Sequence, residues 1–578
     1  MKLSDYIVEY LVKNNISDVF GYPGGMVTHL IDSFRKYSNS INAHVTYHEQ
    51  AAAFAACGYA QSSGNVGVAY ATSGPGATNL ITGIANAYFD SIPVLFITGQ
   101  VNTNESKGNL GVRQRGFQET DVIEIVKPIT KGAYYVESAD KIKYYLDLAF
   151  NTALEARKGP VLLDIPMNIF RTDVEPDTLV GLDKALTSQI QSNDLDAQVL
   201  DEACKTVVDA LNASSRPCFI LGNGIKASHD FSMLQTFIYE NNIPVVTSML
   251  AFDIMSDYQH KYGFIGAYGD RTANFIVAKS DLIITIGTRL DIRQVGAVRD
   301  NFARNSRIIR FDIDKGELEY KVHEDETQYV MDICDIVKLF ASVKVQNDFT
   351  EWISVCDRLR TELQGIDDNT ERSVMRHISR FIPDNTVITT DVGQNQVWVA
   401  QEFELKHRQK VLFSGGHGAM GYSFPAAIGA YYGTNRPVVS INGDGGFQMN
   451  IQELQFIARE RIPVKIIVFN NDALGMIRHF QEMYFDSNYF QTKPEGGYSS
   501  PCFVDVAKAY GIESYIYNPD SPLDDDIMNE IFNSYKPILL EVALSQDTYV
   551  FPKLEFGKPN QDQEPLIDRK MYDSLMEL

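Results

Sequence analysis

Short apolar runs of strand length alternate with longer stretches of helical periodicity along most of this chain. Before residue 170 the runs fall at 19–20, 43–46, 66–70, 94–97 and 161–165. Runs of that length, separated by helix-like segments, predict parallel strands joined by crossover helices. Ser4 is placed to cap a first helix ending near Asn14. A second series lies at 218–221, 245–247, 282–286 and 308–311, and a third includes 411–413, 437–441 and 464–469. The predicted fold class is α/β, with three doubly wound parallel-sheet domains. Their boundaries are 1–170, 197–345 and 371–550, with linkers at 171–196 and 346–370. The first and third domains are expected to be alike in layout. The tail, 551–578, is rich in Pro, Asp and Lys and is expected to drape over the surface or close a site.

Composition narrows this picture. With 44% hydrophobic and 22% charged residues among 578, the chain has ordinary globular composition. The formal charge of -23 argues against a nucleic-acid partner, because phosphate neutralisation needs a basic face. No apolar run reaches membrane-spanning length, and the first six residues lack the apolar core of a secretion signal. Cys57, Cys204, Cys218, Cys334, Cys356 and Cys502 are scattered without C-x-x-C spacing. They read as reduced, mostly buried thiols of a cytoplasmic protein.

The strongest chemical signal is Gly443-Asp444-Gly445-Gly446 followed by Asn470-Asn471, with Asn471 twenty-seven residues after Asp444. Gly-Asp-Gly alone is a turn and Asn-Asn alone is a loop. Here each follows an apolar strand, and the intervening stretch holds one helix and one strand. A carboxylate and a carboxamide therefore leave the carboxyl ends of two neighbouring strands, where open α/β sheets bind ligands. Two hard oxygens beside unhindered glycine amides suit Mg²⁺ carrying a diphosphate.

The whole chain resembles the thiamine diphosphate-dependent 2-oxo acid enzymes, and most of all the catalytic subunits of acetolactate synthases. The matching segments include Gly21-Tyr22-Pro23-Gly24-Gly25, His48-Glu49-Gln50, Ser73-Gly74-Pro75-Gly76-Ala77, Thr98-Gly99-Gln100, Phe117-Gln118-Glu119, Thr390-Asp391-Val392-Gly393-Gln394 and Gly418-Ala419-Met420-Gly421. The resemblance implies a pyrimidine-binding domain, a central domain and a diphosphate-binding domain. It also implies a homodimer or homotetramer whose sites lie between subunits, and it leaves a regulatory subunit open.

The resemblance further assigns roles. Glu49 would hydrogen-bond a ring nitrogen of the aminopyrimidine and relay its proton, although a Glu there is also a favourable helix start. Met420 would wedge between the two cofactor rings, where its bland reading is core filler. The Gly418 carbonyl would accept from the pyrimidine amino group, beside Ala419. Asp444, Asn471 and the Ala473 carbonyl would hold the metal. Gln394, Asn395, Gly445, Gly446, Gly475 and Met476 would surround the diphosphate. Gln118, Lys131 and Ser91 match active-site positions. A flavin (FAD) is implied by Gly222, Gly224, Gly266, Tyr268, Gly287, Arg289, Asp291, Arg293, Asp312, Ile313, Asp332 and Arg157; alone, Arg289 and Asp291 read as a surface ion pair. Gly416 to Gly421 also spells G-x-G-x-x-G, which by itself is weak.

The chain departs from the synthase pattern at Asn395, His417, Leu474, Phe480 and the stretch before Phe117. Arg113 and Arg115 there suit an anionic or polyhydroxylated acceptor, or form an exposed basic loop. The expected activity is decarboxylation of pyruvate and carboligation of the hydroxyethyl unit to a carbonyl. A second pyruvate would give 2-acetolactate. The alternatives are another acceptor such as a keto-sugar, simple decarboxylation, or a pyruvate oxidase-type flavin reaction.

Overall fold

In the computed structural model, residues 1–183, 197–228 and 230–578 are described. They form three six-stranded sheets, parallel throughout. The first holds β1 (Asp18–Gly21), β2 (Asn42–Val45), β3 (Gly67–Ala71), β4 (Val94–Gln100), β5 (Gly132–Tyr135) and β6 (Val161–Pro166), in the order β2-β1-β3-β4-β6-β5. The central sheet holds β7 (Pro217–Leu221), β8 (Val245–Thr247), β9 (Lys261–Phe264), β10 (Leu282–Ile286), β11 (Arg307–Asp312) and β12 (Thr327–Val330), in the order β12-β11-β10-β7-β8-β9. The third holds β13 (Val387–Thr390), β14 (Lys410–Phe413), β15 (Val438–Gly443), β16 (Lys465–Asn470), β17 (Glu513–Tyr517) and β18 (Ile538–Ala543), in the order β14-β13-β15-β16-β18-β17. The first and third sheets therefore share one strand order, as their layouts predicted. The central sheet follows a different one, reversing direction between β7 and β10.

The chain divides into two compact units. One combines the first and third sheets, and the other holds the central sheet with the C-terminal tail. Interior strands such as β10, Leu-Ile-Ile-Thr-Ile, are buried along their length. That is the continuous apolar pattern of a sheet covered on both faces.

Within the first unit the two sheets meet through two helices. Helix Glu49–Ser63 is alanine-rich, which favours helix, and the His48 side chain caps it by accepting from the Gln50 N–H. It lies against helix Ser423–Thr434 at backbone distance. A Cβ on Gly58 would sit 2.0 Å from the Ala426 carbonyl oxygen, and one on Gly429 would sit 1.8 Å from that of Ala55. Only a glycine leaves room there.

Three expectations need correction. Ser4 does not cap the first helix, which spans Leu3–Lys13 with Lys2 at the cap position. The Leu3 N–H is tied to the Thr172 carbonyl, so the helix starts early and buries Ser4, whose hydroxyl accepts from Ser33. The stretch 346–370 carries helix Thr350–Leu363, whose Trp352 is buried and donates to the Pro217 carbonyl at 2.9 Å. Of the cysteines, Cys57, Cys218 and Cys356 are buried while Cys334 and Cys502 are exposed, so half of them, not most, are interior. Residues 184–196 of the proposed first linker lie outside the described residues. Among the described residues no helix is long and apolar enough to cross a membrane.

The tail packs within the second unit. Leu554 donates to the Ala267 carbonyl, Gln563 to the Gly269 carbonyl and Asn560 to the Gln294 carbonyl. Gly429→Ala is expected to lower the apparent thermal midpoint, since overpacking of this kind costs roughly 1–3 kcal/mol. Thermal unfolding at a fixed scan rate checks it.

Candidate active site

β15 and β16 pair in parallel with Gly443 opposite Phe469, so Asp444 and Asn471 leave the same sheet edge side by side. Asp444 opens the short helix Asp444–Gln448 and is buried. One of its oxygens accepts from the Gly445 N–H at 2.7 Å, and the other accepts from the Ala473 N–H at 3.2 Å. Asn471 Oδ1 accepts from that same Ala473 N–H, also at 3.2 Å. A carboxylate and a carboxamide oxygen thus converge on one point. Burial pushes the Asp444 carboxyl up to about 7 against the Gly445 and Ala473 amides. A divalent cation bound by the outward faces of these two oxygens would return it to the ionised form.

The Asn471 amide nitrogen is held by the Thr548 hydroxyl at 2.7 Å and by Gln394 at 3.3 Å. The Thr548 hydroxyl donates to Gln394 Oε1 at 2.7 Å. Gly475 starts helix Gly475–Tyr484, with Met476 in its first turn, and a Cβ on Gly475 would strike Gln394 Oε1 at 1.9 Å. Asn395 donates to the Asp391 carbonyl, and its Oδ1 lies 3.1 Å from where a Gly443 Cβ would be. Gly445 is enclosed by Leu474, Tyr498 and Met420. The structure therefore brings together Gln394, Asn395, Met420, Asp444, Gly445, Asn471, Ala473, Gly475 and Met476.

Asp391 is a residue that sequence reasoning quoted without giving it a task. It is fully buried. Its oxygens accept from the backbone N–H groups of Val392, Gly421 and Ser423, and Gly446 packs against it. It thereby fixes the turn that presents Met420. Burial pushes its carboxyl up to about 7 against those amides. Gly418 has φ +69° with no atom within 4 Å of a would-be Cβ, so the backbone here is open to an approaching group. Ala419 is anchored through its N–H to Ser414 Oγ, which donates to Asn86.

On the first sheet, Glu49 follows β2 and is buried, with Oε2 accepting from the Asn79 amide at 2.9 Å. Gly74 sits at φ +61°, ψ -121°, a conformation suited to glycine, and opens helix Pro75–Asn79. Gln118 packs on Gly74, and Glu49 Oε1 lies 3.2 Å from a would-be Cβ on Gly76. Glu49 and Gln118 thus flank one turn at the carboxyl edge of the sheet. Ser91, Lys131 and Arg157 do not join them. Each precedes a strand, so they share the opposite, amino edge. Arg157 donates to Ser91 Oγ at 2.9 Å, and Lys131 donates to the Glu155 carbonyl. Burial lowers the Lys131 pKa. Within this chain, then, Lys131 is not beside Glu49.

The flavin candidates other than Arg157 lie in the second unit. Gly222 and Gly224 follow β7 and Gly287 follows β10, the two strands flanking the reversal of strand order. The Gly224 N–H donates to the Gly287 carbonyl at 3.0 Å. Asp291 caps the next turn through the Arg293 N–H and pairs with Arg289 at 3.2 Å. Arg293 lies over the Tyr268 ring, and Gly266 is tied at both ends to Asn274. Asp312 ends β11, next to Ile313, and Asp332 caps helix Ile333–Ser342. A reversal point lined by glycine turns is where dinucleotides bind in such sheets.

Three family models match segments of the chain that hold strands of the three sheets, in the same order. Residues 1–125 match the thiamine pyrophosphate enzyme N-terminal TPP binding domain, 204–339 the central domain, and 391–542 the C-terminal TPP binding domain. The acetolactate synthase large subunit of Lactococcus lactis is 33% identical, over 96% of this chain and 94% of its own. Acetolactate synthase isozyme 2 large subunit of Escherichia coli is 32% identical, over 97% and 99%. Acetolactate synthase 1, chloroplastic, of Oryza sativa is 34% identical, over 97% and 87%.

A pH prediction follows from Asp391. Its carboxyl holds a proton more tightly in the fold, at about 7, than at its ordinary value of 3.8. Folded-state stability from that proton is complete in acid and is lost as pH rises from about 4 to about 7. In the cofactor-free protein, Asp391→Asn is expected to show a smaller change of thermal midpoint across that range than the parent. An equal change in both would reject the assignment.

Proposed function

The chain belongs to the thiamine pyrophosphate-dependent enzymes of the acetolactate synthase family, and from that premise we propose the following mechanism. The protein decarboxylates pyruvate and joins the resulting two-carbon unit to a carbonyl acceptor. The observation that carries the site assignment is the convergence of Asp444 Oδ2 and Asn471 Oδ1 on the Ala473 N–H.

Two hard oxygens on a rigid edge suit a magnesium ion accompanying a diphosphate. Asp444, Asn471 and the Ala473 carbonyl would hold that ion. Gln394, Asn395, Gly445, Gly446, Gly475 and Met476 would line the diphosphate. When bound, the coenzyme supplies a carbon nucleophile and the electron sink for loss of CO₂. Met420, fixed beside Gly445 by the Asp391-bound turn, would contact the coenzyme between its rings. The Gly418 carbonyl, beside Ala419, would accept from the pyrimidine amino group. Glu49 holds and returns a proton at a pyrimidine nitrogen, and Asn79 keeps its carboxyl aimed. The Glu49 that serves each coenzyme comes from a second copy of the chain, so the working form is a homodimer or homotetramer. The relatives' description as large subunits supports a smaller partner chain.

FAD is a second proposed cofactor, supported by the glycine turns at the β7–β10 reversal. The acceptor is an anionic carbonyl compound, and a second pyruvate is the first candidate. Support comes from Arg113 and Arg115, exposed on the loop that leads into Gln118. Glu119 shapes that loop by accepting from Ser106 Oγ and from the backbone N–H groups of Lys107, Arg115 and Gly116. A keto-sugar bearing a charged group is the other candidate.

Cofactor-loaded protein given pyruvate alone should release CO₂ and form 2-acetolactate. No CO₂ would overturn the donor assignment. Acetaldehyde as the sole product would mean simple decarboxylation, and flavin bleaching at the turnover rate would mean an oxidase. Glu49→Gln should retain coenzyme and lose turnover by roughly 10²- to 10⁴-fold, the usual worth of a positioned proton-transfer group; unchanged turnover refutes its role. Asp444→Ala should weaken magnesium-dependent retention of the coenzyme, measured by equilibrium dialysis; equal retention rejects the metal assignment.

A further inference from the structure

The segment from Asn450 to Arg459, between β15 and β16, reaches the turn that carries Glu49. Glu453 is fully buried, and its Oε1 accepts from the Tyr47 N–H at 2.8 Å. Its Oε2 is buried with no hydrogen-bond partner. Asn450 donates through one amide group to two places, the Gly421 carbonyl at 2.8 Å and Gln50 Oε1 at 3.1 Å. Arg459 donates to the Val45 carbonyl at 2.9 Å and to the Tyr47 hydroxyl at 3.2 Å, with its guanidinium over the Tyr47 ring. So Val45, Tyr47 and Gln50, which bracket Glu49, are all gripped by one short segment of the third sheet. That segment also touches Gly421, the residue after Met420.

We infer that Glu453 is a positioning residue for Glu49, with Asn450 tying the Glu49 turn to the Met420 turn. The inference rests on the proposed roles of those two residues. Physical necessity supports it. A buried carboxyl is costly, and nothing in local folding requires one here: helix Leu454–Glu460 begins after Glu453 and does not use its side chain as a cap. What the carboxyl does is hold the one backbone N–H two residues before Glu49 across a sheet-to-sheet boundary. Burial pushes it up to about 8, opposed by the Tyr47 and His48 amides and the Arg459 charge. Its carboxyl therefore holds a proton more tightly than a free glutamate does, and glutamine mimics the protonated form. The effect on chemistry is through geometry, since misplacing a proton-transfer group by about 1 Å costs on the order of a hundredfold in rate.

The test compares Glu453→Gln, Glu453→Asp and Glu453→Ala in the full chain. Hydrogen exchange in the peptide covering Tyr47 is measured without coenzyme. Steady-state kinetics and coenzyme retention are measured with thiamine diphosphate and magnesium. Glu453→Ala should speed exchange at Tyr47 by roughly tenfold or more and lower kcat by roughly ten- to a hundredfold, with KM and retention nearly unchanged. Glu453→Gln, which keeps the Oε1 acceptor, should restore both. Glu453→Asp, one methylene shorter, should behave like Glu453→Ala, and it carries the test if the alanine variant does not fold. Unchanged exchange at Tyr47 in Glu453→Ala or Glu453→Asp overturns the inference whatever the enzyme catalyses. Loss of exchange protection with turnover untouched also overturns it. A parent protein that shows no pyruvate chemistry, with Tyr47 exchange behaving as expected, would instead locate the failure in the functional reading.

Discussion

The close crossing of helices Glu49–Ser63 and Ser423–Thr434 is the constraint on which the site depends. Gly58 and Gly429 let two helix backbones touch, with no side chain between them. Each helix starts near a functional turn: Glu49 opens one, and the Gly418–Gly421 turn leads into the other. Fixing the helices therefore fixes two turns of each chain, the one that carries its Glu49 and the one that carries its Met420, and each turn would serve a different coenzyme of the assembly. Close packing of this kind tolerates little volume change, so the distance between the two turns has few ways to drift.

Around that contact the protein uses buried carboxyls as clamps. Asp391 gathers three backbone N–H groups at the Met420 turn, and Asp164 accepts from Thr98 and Gln100 inside the first sheet. Asp90 accepts from the Gly415 and Gly416 N–H groups on the loop leading to Gly418. An acceptor with two oxygens can bind several amides of an irregular loop at once, which no apolar side chain can do. Irregular backbone at the carboxyl edges is thereby given fixed coordinates.

Much of this was legible in the residues. Long apolar runs marked the interior strands, and Asp444 and Asn471 at the ends of β15 and β16 marked the sheet edge where the candidate site lies. The strands left out of the first two domains, β5, β9 and β12, are edge strands with only partial burial, so they lack a continuous apolar run. Helix Thr350–Leu363 escaped because its polar face dominates its composition. Asn450, Glu453 and Thr548 could not be found locally. Glu453 reads as an ordinary polar position at the start of an amphipathic helix, and its partner Tyr47 lies about four hundred residues earlier. Lys131 and Ser91 show the converse. A sequence match marked them, and within one chain strand polarity places them on the opposite sheet edge from Glu49, which is no test of a site built between subunits.

The shared strand order of the outer sheets has a consequence during synthesis. Their common unit is interrupted in the chain by the whole central domain. The alanine-rich helix therefore emerges from the ribosome long before its mate. At about 5–20 residues per second the delay is roughly twenty to seventy seconds. Throughout that interval the nascent chain carries a bare, glycine-notched apolar stripe. Until the second half is made, that helix lacks the neighbour that covers it in the folded unit.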